Sequence, residues 1–175
     1  MELSPTGRVI LGMLAVGPHS GYDIKAIVDK STRFFWAASY GQIYPELKRL
    51  AERGLIEPDA EPEGGRRRTT YRITGAGREE FAAWIRDPEL THEMRDEGLL
   101  KLFFAGVLER DDAIAVLEAT REKYVEKLAR LEEIEPMAAT AERFGPLAVL
   151  RYGVGMSEFA IAWCDENLKE LKERS

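Results

Sequence analysis

Apolar residues recur at helical spacing through most of the chain, and the first such segments form a compact series of three helices. Val9, Leu11, Met13 and Leu14 predict a largely buried helix over residues 4–15, with Ser4 as its N-cap and Pro5 in the first helical position. Residues 16–19 break it. A second helix starts behind Ser20 and carries Tyr22, Ile24, Ile27 and Val28 as an apolar face, ending near residues 30–32. After the aromatic run Phe34, Phe35 and Trp36, a third helix begins at Ser39, which has the capping-box spacing to Gln42. Its buried face is Ile43, Leu47 and Leu50, and its solvent face is Gln42, Tyr44, Lys48, Arg49 and Glu52. Pro45 removes one backbone bond and should bend the first turn, and Gly54 closes the helix behind Arg53.

The pattern then changes. Residues 55–57 and 69–73 predict two short strands, joined by a hairpin in which Gly64 and Gly65 precede Arg66, Arg67 and Arg68. Thr74 caps a fourth helix with Phe81, Trp84 and Ile85, which stops at Asp87 and Pro88. Helix, helix, helix, strand, hairpin, strand, helix is the order of a winged helix-turn-helix. From there on the chain is all-helical. Residues 99–108 are apolar nearly all round and should be buried. A long helix over about residues 111–135 places Ile114, Leu117, Tyr124, Leu128 and Leu131 at 3-4 spacing, interrupted only by Arg121, and residues 136–143 should form a connector. The last helix holds a regular seam of Leu147, Leu150, Val154, Ser157, Ile161, Cys164, Leu168 and Leu171, suited to packing within an antiparallel bundle or between subunits. The expected fold is mainly α. It comprises a winged helix-turn-helix over residues 1–88 (three helices, two-stranded wing, fourth helix) and an all-helical dimerisation domain over residues 89–175.

Composition changes this picture in one respect. The net charge of −6 over 175 residues argues against a nucleic-acid partner, but it is unevenly placed. Residues 1–88 hold 13 Lys/Arg against 12 Asp/Glu, a formal +1, which leaves 12 against 19 in the remainder, a formal −7. Five arginines of the first half lie between Arg66 and Arg78, and a local cluster matters more to a phosphate than the whole-chain charge. No apolar run is long enough for a membrane span and no secretory signal is apparent at the start. With Cys164 alone and no intrachain disulfide, the expectation is a cytoplasmic protein.

Candidate chemistry concentrates on the third helix and the wing. The second helix of a helix-turn-helix enters the major groove with its first turns, so Ser39, Tyr40, Gln42, Tyr44, Lys48 and Arg49 are candidate DNA contacts. Arg66, Arg67 and Arg68 repel one another on an exposed turn and become favourable against DNA through counterion release. The alternatives are a solvated helix face and a solvated charge run. Phe34, Phe35 and Trp36 are expected as core under the helix-turn-helix, and Trp163 as packing. Phe35, Trp36 and Trp163 are also the candidate lining for a small aromatic effector held between the domains or near a dimer interface. His19 and His92 stand apart from any ligand set, so neither a metal nor another cofactor is expected. No catalytic constellation is visible: the nucleophile-elbow, phosphate-loop and dinucleotide patterns are all missing, and Cys164 in an apolar seam should be inert.

Several motifs in order resemble the PadR family of bacterial transcription regulators. They are Leu11-Gly12-Met13-Leu14, Gly17-Pro18-His19-Ser20-Gly21-Tyr22-Asp23-Ile24-Lys25, Phe35-Trp36, and Ser39 through Leu50 with its Tyr40-Gly41-Gln42-Ile43-Tyr44-Pro45 core. Glu52-Arg53-Gly54-Leu55-Ile56 and Arg68 through Arg78 complete the match. Residues 96–104 resemble the longer members, which carry a virulence-activator-type helical C-terminal domain. The resemblance implies a homodimer held by its C-terminal helices on a pseudo-palindromic stretch of double-stranded DNA. It also implies a repressor in most cases, sometimes released by a small aromatic ligand. A protein-interaction module built on the same winged helix is the rival reading.

Overall fold

A computed structural model describes residues 3–36, 39–59, 69–90, 95–107, 109–140 and 144–173. The chain divides into two compact units, Met1–Thr91 and His92–Ser175.

In the first unit, helix starts are fixed by side chains that take up free amides. Ser4 Oγ accepts the Gly7 N–H at 2.9 Å and Pro5 opens α1 (Pro5–Val16). Asp23 accepts from both the backbone N–H and the hydroxyl of Ser20, at 2.9 and 2.6 Å, closing a capping box on α2 (Gly21–Lys30). A short 3-10 turn over Thr32–Phe34 leads towards α3 (Tyr40–Glu52). Ile10, Leu11 and Leu14 of α1, Ile24 and Val28 of α2, and Ile43, Leu47 and Leu50 of α3 meet in one buried core.

The turn out of α3 decides where the sheet goes. Gly54 has φ +69°, the only φ in the left-handed region among the described residues, and ends the helix as the sequence predicts. The chain then forms β2 (Ile56–Pro58) and β3 (Thr70–Ile73), antiparallel with Ile56 opposite Ile73 and Pro58 opposite Tyr71. A third strand that the sequence pattern does not predict, β1 (His19–Ser20), pairs with the other edge of β3, giving the order β1-β3-β2. Two residues behind Gly17 and Pro18 are too few to show alternation, and their pairing depends on β3, remote in sequence. α4 (Gly75–Arg86) follows under Thr74, whose Oγ1 accepts the Gly77 N–H at 3.1 Å and donates to the Gly54 carbonyl at 2.7 Å.

The second unit opens with α5 (Glu97–Phe104), capped by Asp96, and a 3-10 turn over Ala105–Val107. Asp96 also accepts from the Tyr124 hydroxyl at 2.7 Å. Burial, and then this carboxylate, push Tyr124 up to about 12. Burial pushes Asp96 upward, yet the Tyr124 and Leu99 hydrogen bonds and the nearby Lys123 bring it below its ordinary range. α6 (Arg110–Ala139) and α7 (Phe144–Glu173) are antiparallel, since Glu118 meets Lys172 and Arg121 meets Asp165. The seam on α7 packs against α6 of the same chain: Leu150, Ser157, Cys164 and Leu168 are buried with Leu117 and Leu131. Arg121, the interruption in the α6 pattern, reaches Asp165 through Nε at 2.6 Å and a second nitrogen at 3.3 Å. Burial pushes the Cys164 thiol up, in keeping with an unreactive side chain.

Two expectations fail here. α6 does not stop at residue 135 but runs through Pro136 to Ala139, because Met137, Ala138 and Ala139 favour helix and Ala138 is buried. Of the apolar block expected inside the second domain, Ala105 is buried and Leu102 packs against the core, but most of the rest is on the surface. No residue of α5 is buried, and Leu100, Phe103, Phe104 and Val107 are all exposed, Phe103 by 81%. Apolarity predicts that a face will be covered, not that the covering group belongs to the same chain. Leu108 lies outside the described residues.

Gly77 tests the junction between the wing and α4. A Cβ there would land on the Leu55 carbonyl oxygen, a backbone atom that cannot swing aside. Gly77→Ala should cost at least about 1–3 kcal/mol and lower the thermal midpoint, whereas Gly75→Ala, which meets nothing within 4 Å, should leave it nearly unchanged.

Candidate nucleic-acid interface

One side of α3 is wholly committed to the core, so the other is presented as a rigid surface. Ile43, Leu47 and Leu50 are buried, and Ser39, Tyr40, Gln42, Tyr44 and Lys48 are exposed along the opposite edge. At the entering end, Gln42 Oε1 accepts from the Ser39 N–H at 3.0 Å and from the Ser39 hydroxyl at 3.1 Å. The same amide therefore caps the helix while remaining on its exposed edge. Pro45 leaves the Gly41 carbonyl without its usual i+4 amide, but the helix continues through it. Lys48 touches Glu52 at 3.8 Å with both side chains well exposed, a pair weak enough to exchange for a phosphate.

Arg49 is different. The sequence pattern sets it on the solvent face, but it is half-buried and donates to Glu46 at 2.8 Å. Glu46 is buried and also accepts the Ser4 hydroxyl at 2.6 Å, so the three side chains clamp the start of α1 to the middle of α3. Gly7 leaves room for that carboxylate: a Cβ there would overlap it. The guanidinium of Arg8 lies 5.3 Å from the Trp84 ring, tying α1 to α4.

The aromatic residues also depart from expectation. Phe35 and Trp36 are exposed, Phe35 by 60%, and so do not form core. They sit beyond the 3-10 turn, where the chain has already left the three-helix core. Trp163 packs partly buried against Leu117, Cys164 and Leu168 in the second unit. Phe35 and Trp36 thus belong to one unit and Trp163 to the other. Tyr22, expected on the apolar face of α2, is exposed instead and stacks against Tyr40. A signal for this was present: Tyr22, Lys25 and Asp29 recur at i, i+3 and i+7, opposite Ile24 and Val28. Ile85 of α4 is exposed as well.

On the wing, Glu57 of β2 and Arg72 of β3 pair across the strands at 3.2 Å. The hairpin itself, with Gly64, Gly65 and the candidate contacts Arg66, Arg67 and Arg68, lies outside the described residues, as does His92. Among the described residues no three His, Cys, Asp or Glu side chains stand together as a metal site, and no helix is long and apolar enough to cross a membrane.

A three-helix core, a sheet running out into a wing and a polar, tyrosine-rich helix edge together define a winged helix-turn-helix protein. The chain belongs to the transcriptional regulator PadR-like family, which matches residues 10–83, and residues 94–172 match the virulence activator alpha C-terminal family. It is 31% identical over 169 residues to the negative transcriptional regulator PadR of Bacillus subtilis (strain 168), covering 91% of this chain and 93% of that protein. The structure of B. subtilis PadR in complex with operator DNA superposes with a TM-score of 0.82 at 29% identity, covering 94% and 97% of the two chains. That regulator is also known in complex with p-coumaric acid, with a TM-score of 0.79 at 29% identity over 95% and 98%. A PadR-like transcriptional regulator from Bacillus cereus reaches 0.86 over 98% and 100%, though at 24% identity it bears on the fold alone. The Vibrio cholerae virulence activator AphA reaches 0.76 at 29% identity over 98% and 100%.

The Glu46 clamp makes a contrast with its surface neighbour. Glu46→Ala leaves Ser4 and Arg49 without their shared acceptor and should destabilise the protein by about 1–3 kcal/mol in urea unfolding. Lys48→Ala, on an exposed pair, should change stability by less than about 0.5 kcal/mol.

Proposed function

We propose that the protein is a homodimeric repressor that binds a pseudo-palindromic operator in the cytoplasm, with residues 1–88 as the DNA-binding domain and residues 89–175 as the dimerisation domain. The observation that carries this is the exposed edge of α3, where Tyr40, Gln42 and Tyr44 project from a helix whose other face is immobilised in the core. Tyr40, Gln42 and Tyr44 enter the major groove, Gln42 pairing an adenine edge through the amide that also holds Ser39. Lys48 meets phosphate, Ser39 and Arg49 flank the contact, and Arg66, Arg67 and Arg68 neutralise backbone or occupy a minor groove. The negative role of the B. subtilis relative and its complex with operator DNA support repression. Its complex with p-coumaric acid supports a flat aromatic acid as effector, with the exposed Phe35 and Trp36 of the first unit, or Trp163 of the second, as candidate contacts.

Selection of bound sequences from a random duplex pool should return a two-fold-related site. On that site Gln42→Ala should cost about 1–3 kcal/mol and relax one base pair per half-site, with little effect on random DNA. Replacing Arg66, Arg67 and Arg68 together by alanine should weaken both DNAs alike and flatten the salt dependence by about 0.9 in log–log slope for each phosphate no longer neutralised. Equal loss on both DNAs for Gln42→Ala would reverse the assignment.

Dimerisation draws on a surface other than the one the heptad pattern indicates. The α7 seam is already spent on α6 of the same chain, but a second stripe of Val149, Tyr152, Met156 and Phe159, at 3-4-3 spacing, is exposed, as are the apolar residues of α5. Such a face is an expected contact for a second copy. Met156→Asp with Phe159→Asp should convert a sedimenting dimer to a monomer of unchanged helicity. A wild-type protein that sediments as a monomer at micromolar concentration removes the dimer.

A further inference from the structure

The exposed aromatic residues of α2 and α3 form one connected feature. Tyr22, the second residue of α2, stacks on Tyr40, the first of α3, with ring centroids 6.4 Å apart and planes inclined by 27°. Tyr40 stacks in turn on Tyr44 at 6.3 Å and 18°. Lys25 Nζ lies 5.5 Å from the centre of the Tyr40 ring and is itself held by Asp29 one turn further along α2. Gly21 permits the approach of the two helices, because a Cβ there would lie 3.0 Å from both the Tyr44 ring and Leu47. Yet the three tyrosines are 46%, 44% and 53% exposed, so the column is ordered without being buried.

We propose that Tyr22 and Lys25 are positioning residues of the DNA interface, holding a column of three phenol rings from α2 and α3 along the edge of the groove that α3 enters, with Tyr22 against the sugar–phosphate backbone and Tyr40 and Tyr44 on the reading edge. This rests on the DNA-binding function proposed above and extends it to a second helix. The column is continuous with the proposed reading edge, since Tyr40 and Tyr44 belong to both. It also brings together the starts of two helices, whose amide dipoles favour an anionic neighbour. Ordering large side chains before contact removes part of the entropy that binding would otherwise cost, and phenol rings retain a hydroxyl for a phosphate while covering sugar with their faces. Lys25, turned under Tyr40 and neutralised by Asp29, acts through that ring. A backbone contact sets the register of α3 on the duplex and carries no sequence preference of its own.

The test uses the full-length protein and two labelled duplexes, one carrying the selected site and one of the same composition scrambled, with urea unfolding of each variant in parallel. Tyr22→Ala should weaken both duplexes by a similar factor, about three- to tenfold, with an unchanged unfolding midpoint. Tyr22→Phe, which keeps the ring, should stay within about twofold, and Lys25→Met should lose about two- to fivefold. Tyr22→Ala combined with Tyr40→Ala should lose less than the product of the two single effects, because the stack is broken only once. If wild type binds the selected site and Tyr22→Ala binds as well as wild type, the column has no part in DNA binding. Loss confined to the selected site makes Tyr22 a base-reading residue and overturns the backbone assignment. Loss that tracks a lowered unfolding midpoint, with Tyr22→Phe equally affected, reduces the column to fold stability. A wild-type protein that binds neither duplex removes the DNA-binding function itself, and the column's role with it.

Discussion

The burial of Ile43, Leu47 and Leu50 against α1 and α2 is the constraint from which the first unit is built. Each such side chain contributes about 1.5–3 kcal/mol when fully removed from water, and the three lie on a single stripe of a 13-residue helix. Burying that stripe fixes the rotation of α3 about its own axis. The side of α3 from which Tyr40, Gln42, Tyr44 and Lys48 project is therefore a consequence of core packing, and the Tyr40–Tyr44 stack orders the rings upon it. The Ser4–Glu46–Arg49 clamp adds a polar constraint on the same helix, so α3 is held along its length by apolar contacts and at its middle by hydrogen bonds. A helix that must present side chains to a rigid duplex benefits from that restraint, since a side chain that is already ordered gives up less freedom on binding.

The elements that were legible in the sequence are those decided by local chemistry. Ser4, Ser20 and Thr74 cap helices because their hydroxyls reach amides three residues on, and Gly54 ends α3 because few other residues tolerate its φ. The PadR-type motifs fall in these same segments, and the family relationship was accordingly visible before any contact was known. What could not be read depends on partners distant in the chain. β1 exists because β3 arrives beside it, and Arg49 turns inward because Glu46 and Ser4 are there to receive it. Phe35 and Trp36 illustrate a different failure. Hydrophobicity favours burial but does not choose the covering surface, and in the described unit they lie on the outside.

The same distinction accounts for the second unit. Along α7 the sequence carries two apolar stripes, and a one-dimensional pattern gives them equal standing. The seam through Leu150, Ser157, Cys164 and Leu168 is taken by α6, aided by Arg121–Asp165 and Lys172–Glu118 pairs that set the antiparallel register. The Ser157 hydroxyl is no defect in that seam, because it donates to the Gly153 carbonyl at 2.8 Å and leaves no unmet donor in the core. The other stripe, with most of α5, is left uncovered by its own chain. A heptad pattern thus identifies a packing face and leaves open which subunit covers it.

Charge placement gives the two halves different relations to a duplex. A polyanion repels the half of the chain that carries a formal −7 and is nearly indifferent to the half at +1, so attraction has to come from local features of the first half. The features proposed for this are the helix edge, with its weakly paired Lys48, and the arginine run that the sequence places at residues 66–68. Much of the remaining charge in the first half is already engaged, as in Arg53–Glu80, Arg72–Glu57 and Lys25–Asp29. A weak net attraction also bears on discrimination. Non-specific affinity grows with every phosphate neutralised, and a strongly basic protein would be held by any stretch of DNA. With an acidic second half and several cations of the first already paired, the proposed interface would leave a larger share of the binding energy to the tyrosine and glutamine edge of α3.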